Sequence, residues 1–150
     1  MRIALIVSRY NAFVTDRLEA GARARLAEAG IRGEDVATMT VPGAFELPQA
    51  AQRYAETGHW NALVCLGCLI RGETPHFDLI AQAVAQGITR AAQATGVPIT
   101  FGVLTTSTAE EALARAGDGP SNKGREAAEA ALEMARLYGD ITAGRRPTQT

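Results

Sequence analysis

The stretch Ala62-Leu63-Val64-Cys65-Leu66-Gly67-Cys68-Leu69 decides the fold. It is apolar throughout and as short as a strand, so it reads as a strand covered on both faces, the pattern of a central parallel strand. Working outward, Arg2 to Val7 and Ile99 to Leu104 are further strands of the same kind, and Val36 to Val41 is another, broken by Pro42-Gly43. Helical periodicity fills the intervals. From Ala12 to Ala29, the residues Phe13, Val14, Leu18, Ala22, Leu26 and Ala29 recur at spacings that put one face in the core, and Gly30 stops the helix. Further helices are expected at Ala44 to Thr57, Thr74 to Ala94, Ala109 to Ala116 and Lys123 to Tyr138, with turn chemistry at Asp118-Gly-Pro-Ser-Asn122. Strands alternating with helices predict an α/β domain over residues 1–138 with a four-stranded parallel sheet between helical layers. Gly139 to Thr150 lacks apolar periodicity and is expected to be a mobile tail.

The 150 residues suffice for one core, and 15 Lys plus Arg stand against 16 Asp plus Glu. So even a balance gives no field for a nucleic acid or an anionic membrane. The longest apolar run is far shorter than the roughly 20 residues of a membrane span. The apolar start, Met-Arg-Ile-Ala-Leu-Ile-Val7, is too short for a signal peptide, and a cytoplasmic location is the expectation. Cys65-Leu-Gly-Cys68 has the spacing of a redox pair or half a zinc site. Strand side chains three apart point to opposite faces, however, so two buried free thiols are expected.

In open α/β sheets, ligands bind beyond the carboxyl ends of the strands. Four segments lie there: Ser8 to Asn11, Pro42 to Glu46, Leu69 to His76, and Thr105 to Thr108. In the third, Thr74 is placed to cap a helix with Pro75 in its first position, and the free N–H groups of that turn suit a phosphate. His76 stands on the same turn and can move protons near neutrality. Its spacing alone leaves a solvent-facing histidine equally open, while His59 lies at the other end of the sheet. Glu46 in a first helical turn is favoured by the dipole whatever its function, and Tyr10 can stack on a planar ring or cap the core. Arg115 at a helix end has a structural reading too, whereas Lys123 opens a helix against the dipole and invites a functional one. No dinucleotide or Walker loop, nucleophile elbow or metal-ligand cluster is evident in the sequence.

Taken together and in order, Ser-Arg-Tyr-Asn11, Val-Pro-Gly-Ala-Phe-Glu-Leu-Pro48, Leu-Gly-Cys-Leu-Ile-Arg-Gly-Glu-Thr-Pro-His-Phe-Asp78, Phe-Gly-Val-Leu-Thr-Thr106, Ala-Arg-Ala-Gly117 and Asn-Lys-Gly124 resemble the lumazine synthases of riboflavin biosynthesis. The likeness runs from about Arg2 to Leu137. It implies a flavodoxin-like three-layer sandwich and a homo-oligomer of five-subunit rings, which some members pack into an icosahedral shell, with active sites between neighbouring subunits. The implied reaction condenses 5-amino-6-(D-ribitylamino)uracil with 3,4-dihydroxy-2-butanone 4-phosphate to 6,7-dimethyl-8-ribityllumazine, phosphate and water. No cofactor or metal is expected, the partners are small-molecule substrates and other copies of the chain, and riboflavin synthase is a candidate partner.

Carried over by position, the resemblance makes His76 the proton shuttle and Tyr10 the residue that stacks on the pyrimidine. Ala44, Phe45 and Glu46 would hold the ring and ribityl chain, and the backbone of Cys68, Leu69 and Ile70 would read the pyrimidine edge. Glu73 and Thr74 would line the phosphate pocket. Phe101 and Arg115 would come from the adjacent subunit, Arg115 onto the phosphate, and Lys123 would contact the ribityl end. The chain departs from the family in three places. It starts at the first strand, where many members carry a further segment that joins a neighbour's sheet, so a weakened shell or a shortened chain are both open. Ser121 stands where glycine is common, and Tyr10 where Phe or Trp is common. Two rivals remain: a non-catalytic member of the same fold, such as a flavin or lumazine binder or an assembly scaffold, and a thiol–disulfide oxidoreductase using Cys65 and Cys68.

Overall fold

The computed structural model of the chain describes residues 1–146. Its elements run β1 (Ile3–Ser8), α1 (Ala12–Glu28), β2 (Val36–Val41), α2 (Leu47–Glu56), β3 (Ala62–Ile70), α3 (His76–Thr95), β4 (Ile99–Thr106), α4 (Ala109–Ala114) and α5 (Lys123–Thr142). The strands form one four-stranded sheet in the order β2-β1-β3-β4, and every pairing is parallel. The architecture is the expected flavodoxin-like α/β/α sandwich.

The side-chain alternation of the strands divides the core in two. Ile3, Leu5 and Val7 of β1 join Ala62, Val64, Leu66 and Cys68 of β3 on the face covered by α1 and α5. Ala4, Ile6, Leu63 and Cys65 point the other way, against α2 and α3. Ala62 to Leu66 have no exposed surface at all. Each fully buried Leu or Val among them stabilises the fold by roughly 1.5–3 kcal/mol, so both faces of β3 must stay apolar. The two cysteines therefore lie on opposite faces of one strand, buried and free. Burial pushes the Cys65 thiol up to about 12 and the Cys68 thiol up to about 11, which removes the reactive thiolate a redox couple needs.

The face that α1 buries is Val14, Leu18, Ala22 and Leu26. Phe13, expected on that face, stays 49% exposed because the buried stripe is in register with Val14 instead. Where α1 meets α5 the backbones nearly touch: a Cβ on Gly124 would sit 2.0 Å from the Leu18 carbonyl oxygen. Asn122, only 3% exposed, caps α5 by accepting from the Arg125 N–H at 3.0 Å, and its amide donates to the Arg17 and Gly117 carbonyls. This buried polar hub is satisfied on every side, which is what makes burial of an amide tolerable.

Several helix ends differ from the sequence reading: α2 begins at Leu47 rather than Ala44, α4 ends at Ala114 rather than Ala116, and α5 and α3 differ too. Gly139 does not stop α5, which continues to Thr142; the left-handed residue is Gly144, at φ 69°. The expected tail thus begins as helix, and its last residues, 147–150, lie outside the described residues. At α3, Pro75 rather than Thr74 occupies the cap position, and His76 is the first helical residue. Proline has no N–H to satisfy, so it suits the boundary without a side-chain cap.

Candidate active site

At the carboxyl end of the sheet, the order β2-β1-β3-β4 makes the gap between β1 and β3 the point where the chain's crossovers change direction. The ladder between these strands ends at Val7 opposite Leu66, whereas β3 and β4 stay paired as far as Ile70 opposite Thr106. Residues 67–70 of β3 therefore run on with no paired partner on the β1 side. A cleft of about 900 Å³ opens there, and it gathers three of the four loops that the sequence singled out.

The turn after β1 forms one wall. The Arg9 N–H donates to the Val41 carbonyl at 2.8 Å and the Tyr10 N–H to the Pro42 carbonyl at 3.1 Å, which ties this turn to the end of β2. Tyr10 is left 72% exposed, with its ring free to meet a ligand. Across the same rim, a single 3-10 turn at Ala44–Glu46 leads into α2. Ala44 is buried, Phe45 is 57% exposed and Glu46 is half-buried at the α2 cap position.

The end of β3 forms the back of the cleft. Its Cys68 carbonyl points toward β1, where it accepts from Asn11 Nδ2 at 2.9 Å. The Arg71 N–H points the other way, to the Thr106 carbonyl at 2.8 Å. Backbone groups alternate sides along a strand, so the N–H and C=O of Ile70 face the same side as those of Cys68. An amide-like ring edge could pair with such a donor–acceptor set.

The first turn of α3 completes the cleft. The Leu79 N–H makes the first helical bond, to the Pro75 carbonyl at 3.3 Å. Ahead of it the N–H groups of Phe77 and Asp78 have no carbonyl within the helix, and the His76 N–H reaches only Thr74 Oγ1, at 3.4 Å. These donors and the positive helix end suit an anion. His76, Thr74 and Gly72 line the cleft, with Phe77, Leu79 and Ile80 as an apolar wall. Glu73 is exposed and outside the lining. Arg71, which sequence reasoning passed over, lies 4.6 Å above the Phe77 ring and holds Asp78 at 3.2 Å, bracing the loop to the helix. None of the lining residues is lysine or arginine, and the one cation of this loop, Arg71, is engaged by Asp78 and the Phe77 ring.

The remaining residues gather elsewhere. Phe101, Arg115 and Lys123 share a second hollow of about 440 Å³ along the open edge of β4. Arg115 closes α4, donating to the Glu111 carbonyl at 3.2 Å, and its own carbonyl accepts from the Lys123 N–H at 2.9 Å. Lys123 Nζ pairs with Glu126 at 2.9 Å. The sequence-derived set is thus split in two. Tyr10, Ala44, Phe45, Glu46, Cys68, Leu69, Ile70, Thr74 and His76 meet at the switch point, while Phe101, Arg115 and Lys123 stand on the sheet edge. His59 sits at the opposite end of the sheet, its N–H on Thr57 Oγ1 at 3.3 Å. No grouping of three His, Cys, Asp or Glu side chains that could hold a metal occurs among the described residues, and no described helix is long and apolar enough to cross a membrane.

A flavodoxin-like sandwich whose switch-point cleft carries a helix-start histidine, an exposed aromatic ring and uncommitted N–H donors is a small-molecule binding protein by construction. The 6,7-dimethyl-8-ribityllumazine synthase family matches residues 1–139, and the chain belongs to that family, the lumazine synthases of riboflavin biosynthesis.

Proposed function

We propose that this chain condenses 5-amino-6-(D-ribitylamino)uracil with 3,4-dihydroxy-2-butanone 4-phosphate to 6,7-dimethyl-8-ribityllumazine, at sites built from two neighbouring copies. The observation that carries this reading is the split itself. The switch-point cleft has a proton-transfer group, ring-binding walls and N–H donors, but no lysine or arginine in its lining, while Arg115 and Lys123 stand on the far edge of the sheet. Phosphate binding and departure call for charge held near the anion. A neighbour that presents its β4 edge to the cleft would bring that charge together with Phe101.

The chemistry is redox-neutral and asks for neither metal nor cofactor. The 5-amino nitrogen attacks the ketone carbon, and loss of one water leaves an imine. Removal of the proton from the adjacent carbon expels phosphate from the next by β-elimination, and the enol formed tautomerises to a ketone. The ribitylamino nitrogen attacks that ketone, and loss of a second water closes the ring. His76 would carry the proton in each transfer, Tyr10 and Phe45 would hold the ring, and Glu46 would accept from ribityl hydroxyls. Thr74 and the first-turn N–H groups of α3 would receive the phosphate, with Glu73 at the rim and Arg115 of the neighbour opposite. The backbone groups of Cys68 and Ile70, which face the β1 side, would read the pyrimidine edge, those of Leu69 being turned to β4, and Lys123 of the neighbour would reach the ribityl end. Holding two reactants in register is worth roughly 7–11 kcal/mol in well-oriented systems, enough to need little else from the protein.

The proposal extends to a pentamer or multiple of pentamers, a cytoplasmic setting and riboflavin synthase as a partner. Incubation with both substrates tests its core. Appearance of lumazine fluorescence with stoichiometric phosphate release is expected; ligand binding without product would make the chain a binder instead.

A further inference from the structure

Asn11 is the one non-glycine residue with positive φ among the described residues, at φ 63° and ψ 43°. Asparagine visits this region more readily than most residues, yet still at some strain. It also sits at the cap position of α1, where an asparagine side chain ordinarily accepts a first-turn N–H, and it makes no such bond. Both local preferences are given up for one contact: Nδ2 donates to the Cys68 carbonyl at 2.9 Å.

That contact spans the crevice where the strands part. The β1–β3 ladder has ended at Val7 and Leu66, and the Ser8 carbonyl is taken by Thr15 Oγ1 at 2.8 Å. Arg9 and Tyr10 are tied toward β2, away from β3. We infer that Asn11 is a positioning residue that sets the width of the ring slot, holding the Tyr10 wall at a fixed distance from the Cys68–Ile70 edge. A carbonyl can only accept, so the amide must present its nitrogen to Cys68, which leaves Oδ1 as an acceptor beside the slot. The inference rests on the proposed reaction for the identity of the ring, a pyrimidinedione, and on geometry alone for the tie.

Two variants isolate the donor. Asn11→Asp keeps the size and the tolerance of positive φ but turns an acceptor toward the Cys68 carbonyl; Asn11→Gly keeps the backbone conformation and removes the side chain. The probes are lumazine, followed by its own fluorescence, and inorganic phosphate. Both variants should weaken lumazine binding and raise KM for the aminopyrimidine by about tenfold, the scale of one hydrogen bond at a binding wall. Phosphate affinity, KM for the sugar phosphate and the melting temperature should hardly change. Wild-type lumazine affinity in Asn11→Asp would overturn the inference, and so would parallel losses of lumazine affinity, phosphate affinity and melting temperature. Should the native protein bind lumazine but form no product, the proposed reaction fails while the variants' lumazine affinities still decide the role of Asn11. A native protein that does not bind lumazine overturns both.

Discussion

The crevice between β1 and β3 and the hollow along β4 differ in what each lacks. The crevice is about 900 Å³, walled by aromatic and aliphatic side chains, and offers His76 and free N–H donors with no lysine or arginine in its lining. The edge hollow is about half that size, at 440 Å³, and carries Arg115 and Lys123. One region has shape and a proton-transfer group; the other has charge. On the proposed reaction, the difference means that the charge for a phosphate would have to come from a second copy, since charge-assisted contacts need their partners within hydrogen-bond reach.

The most damaging test of that division is removal of the edge charge. Arg115→Ala should lower kcat/KM by roughly a hundredfold or more, the scale on which electrostatic clamps act, while leaving the melting temperature intact because Arg115 is exposed. His76→Ala should slow turnover by roughly a hundredfold without abolishing it, since approximation of the reactants survives. Steady-state kinetics on the two variants checks both, and an unchanged rate in either would remove that residue from the mechanism. Gly67→Ala probes the packing of β3 just before it enters the crevice. Its Cβ would stand 3.1 Å from Leu47 Cδ1 and 3.2 Å from Ser8 Oγ, the one buried side-chain polar atom without a partner among the described residues. A loss of about 1–3 kcal/mol is expected by denaturant titration.

The smallest effect lies far from both regions, in the ion pairs that tie α1 to α5. Arg125 holds Glu28 through hydrogen bonds at 2.6 and 2.8 Å, and with Arg25 keeps its carboxyl below the ordinary range. A depressed carboxyl stabilises the fold above its unfolded pKa, and that contribution is lost as pH falls through the folded value. Glu28→Gln should therefore flatten the acid side of the melting-temperature profile slightly and leave the rates of the native protein unchanged. An unaltered acid limb would mean that solvent screens the pair completely.

Much of the fold was legible because burial leaves a residue-level signature. A β3 that is apolar on both faces can only be central, and the opposite-facing cysteines follow from strand alternation. Helix ends were less legible. The apolar periodicity ends at Tyr138, yet α5 runs on through Gly139 to Thr142, since tertiary packing of Ala127, Ala128, Ala131, Leu132 and Ala135 supports the helix past a weak residue. Of the candidate site, His76, Tyr10 and Glu46 could be found from loop position, but the tie from Asn11 to Cys68 joins residues 57 apart and leaves no local pattern. The Arg71–Asp78 brace was missed for a different reason: exposed arginines beside carboxylates are common, and spacing does not say which of them stack on a ring. The placement of Lys123 with Arg115 was likewise hidden, because it depends on the backbone bond between them.

The central claim is that the crevice of one copy and the β4 edge of another make one site, and subunit mixing tests it most directly. His76→Ala and Arg115→Ala proteins, each nearly inactive, are dissociated, combined in equal amounts and reassembled. Random assembly places an intact His76 beside an intact Arg115 in about a quarter of the sites of a cyclic ring, so activity should rise toward a quarter of that of the native protein. Activity no greater than the average of the two parents after verified exchange of subunits would contradict the account.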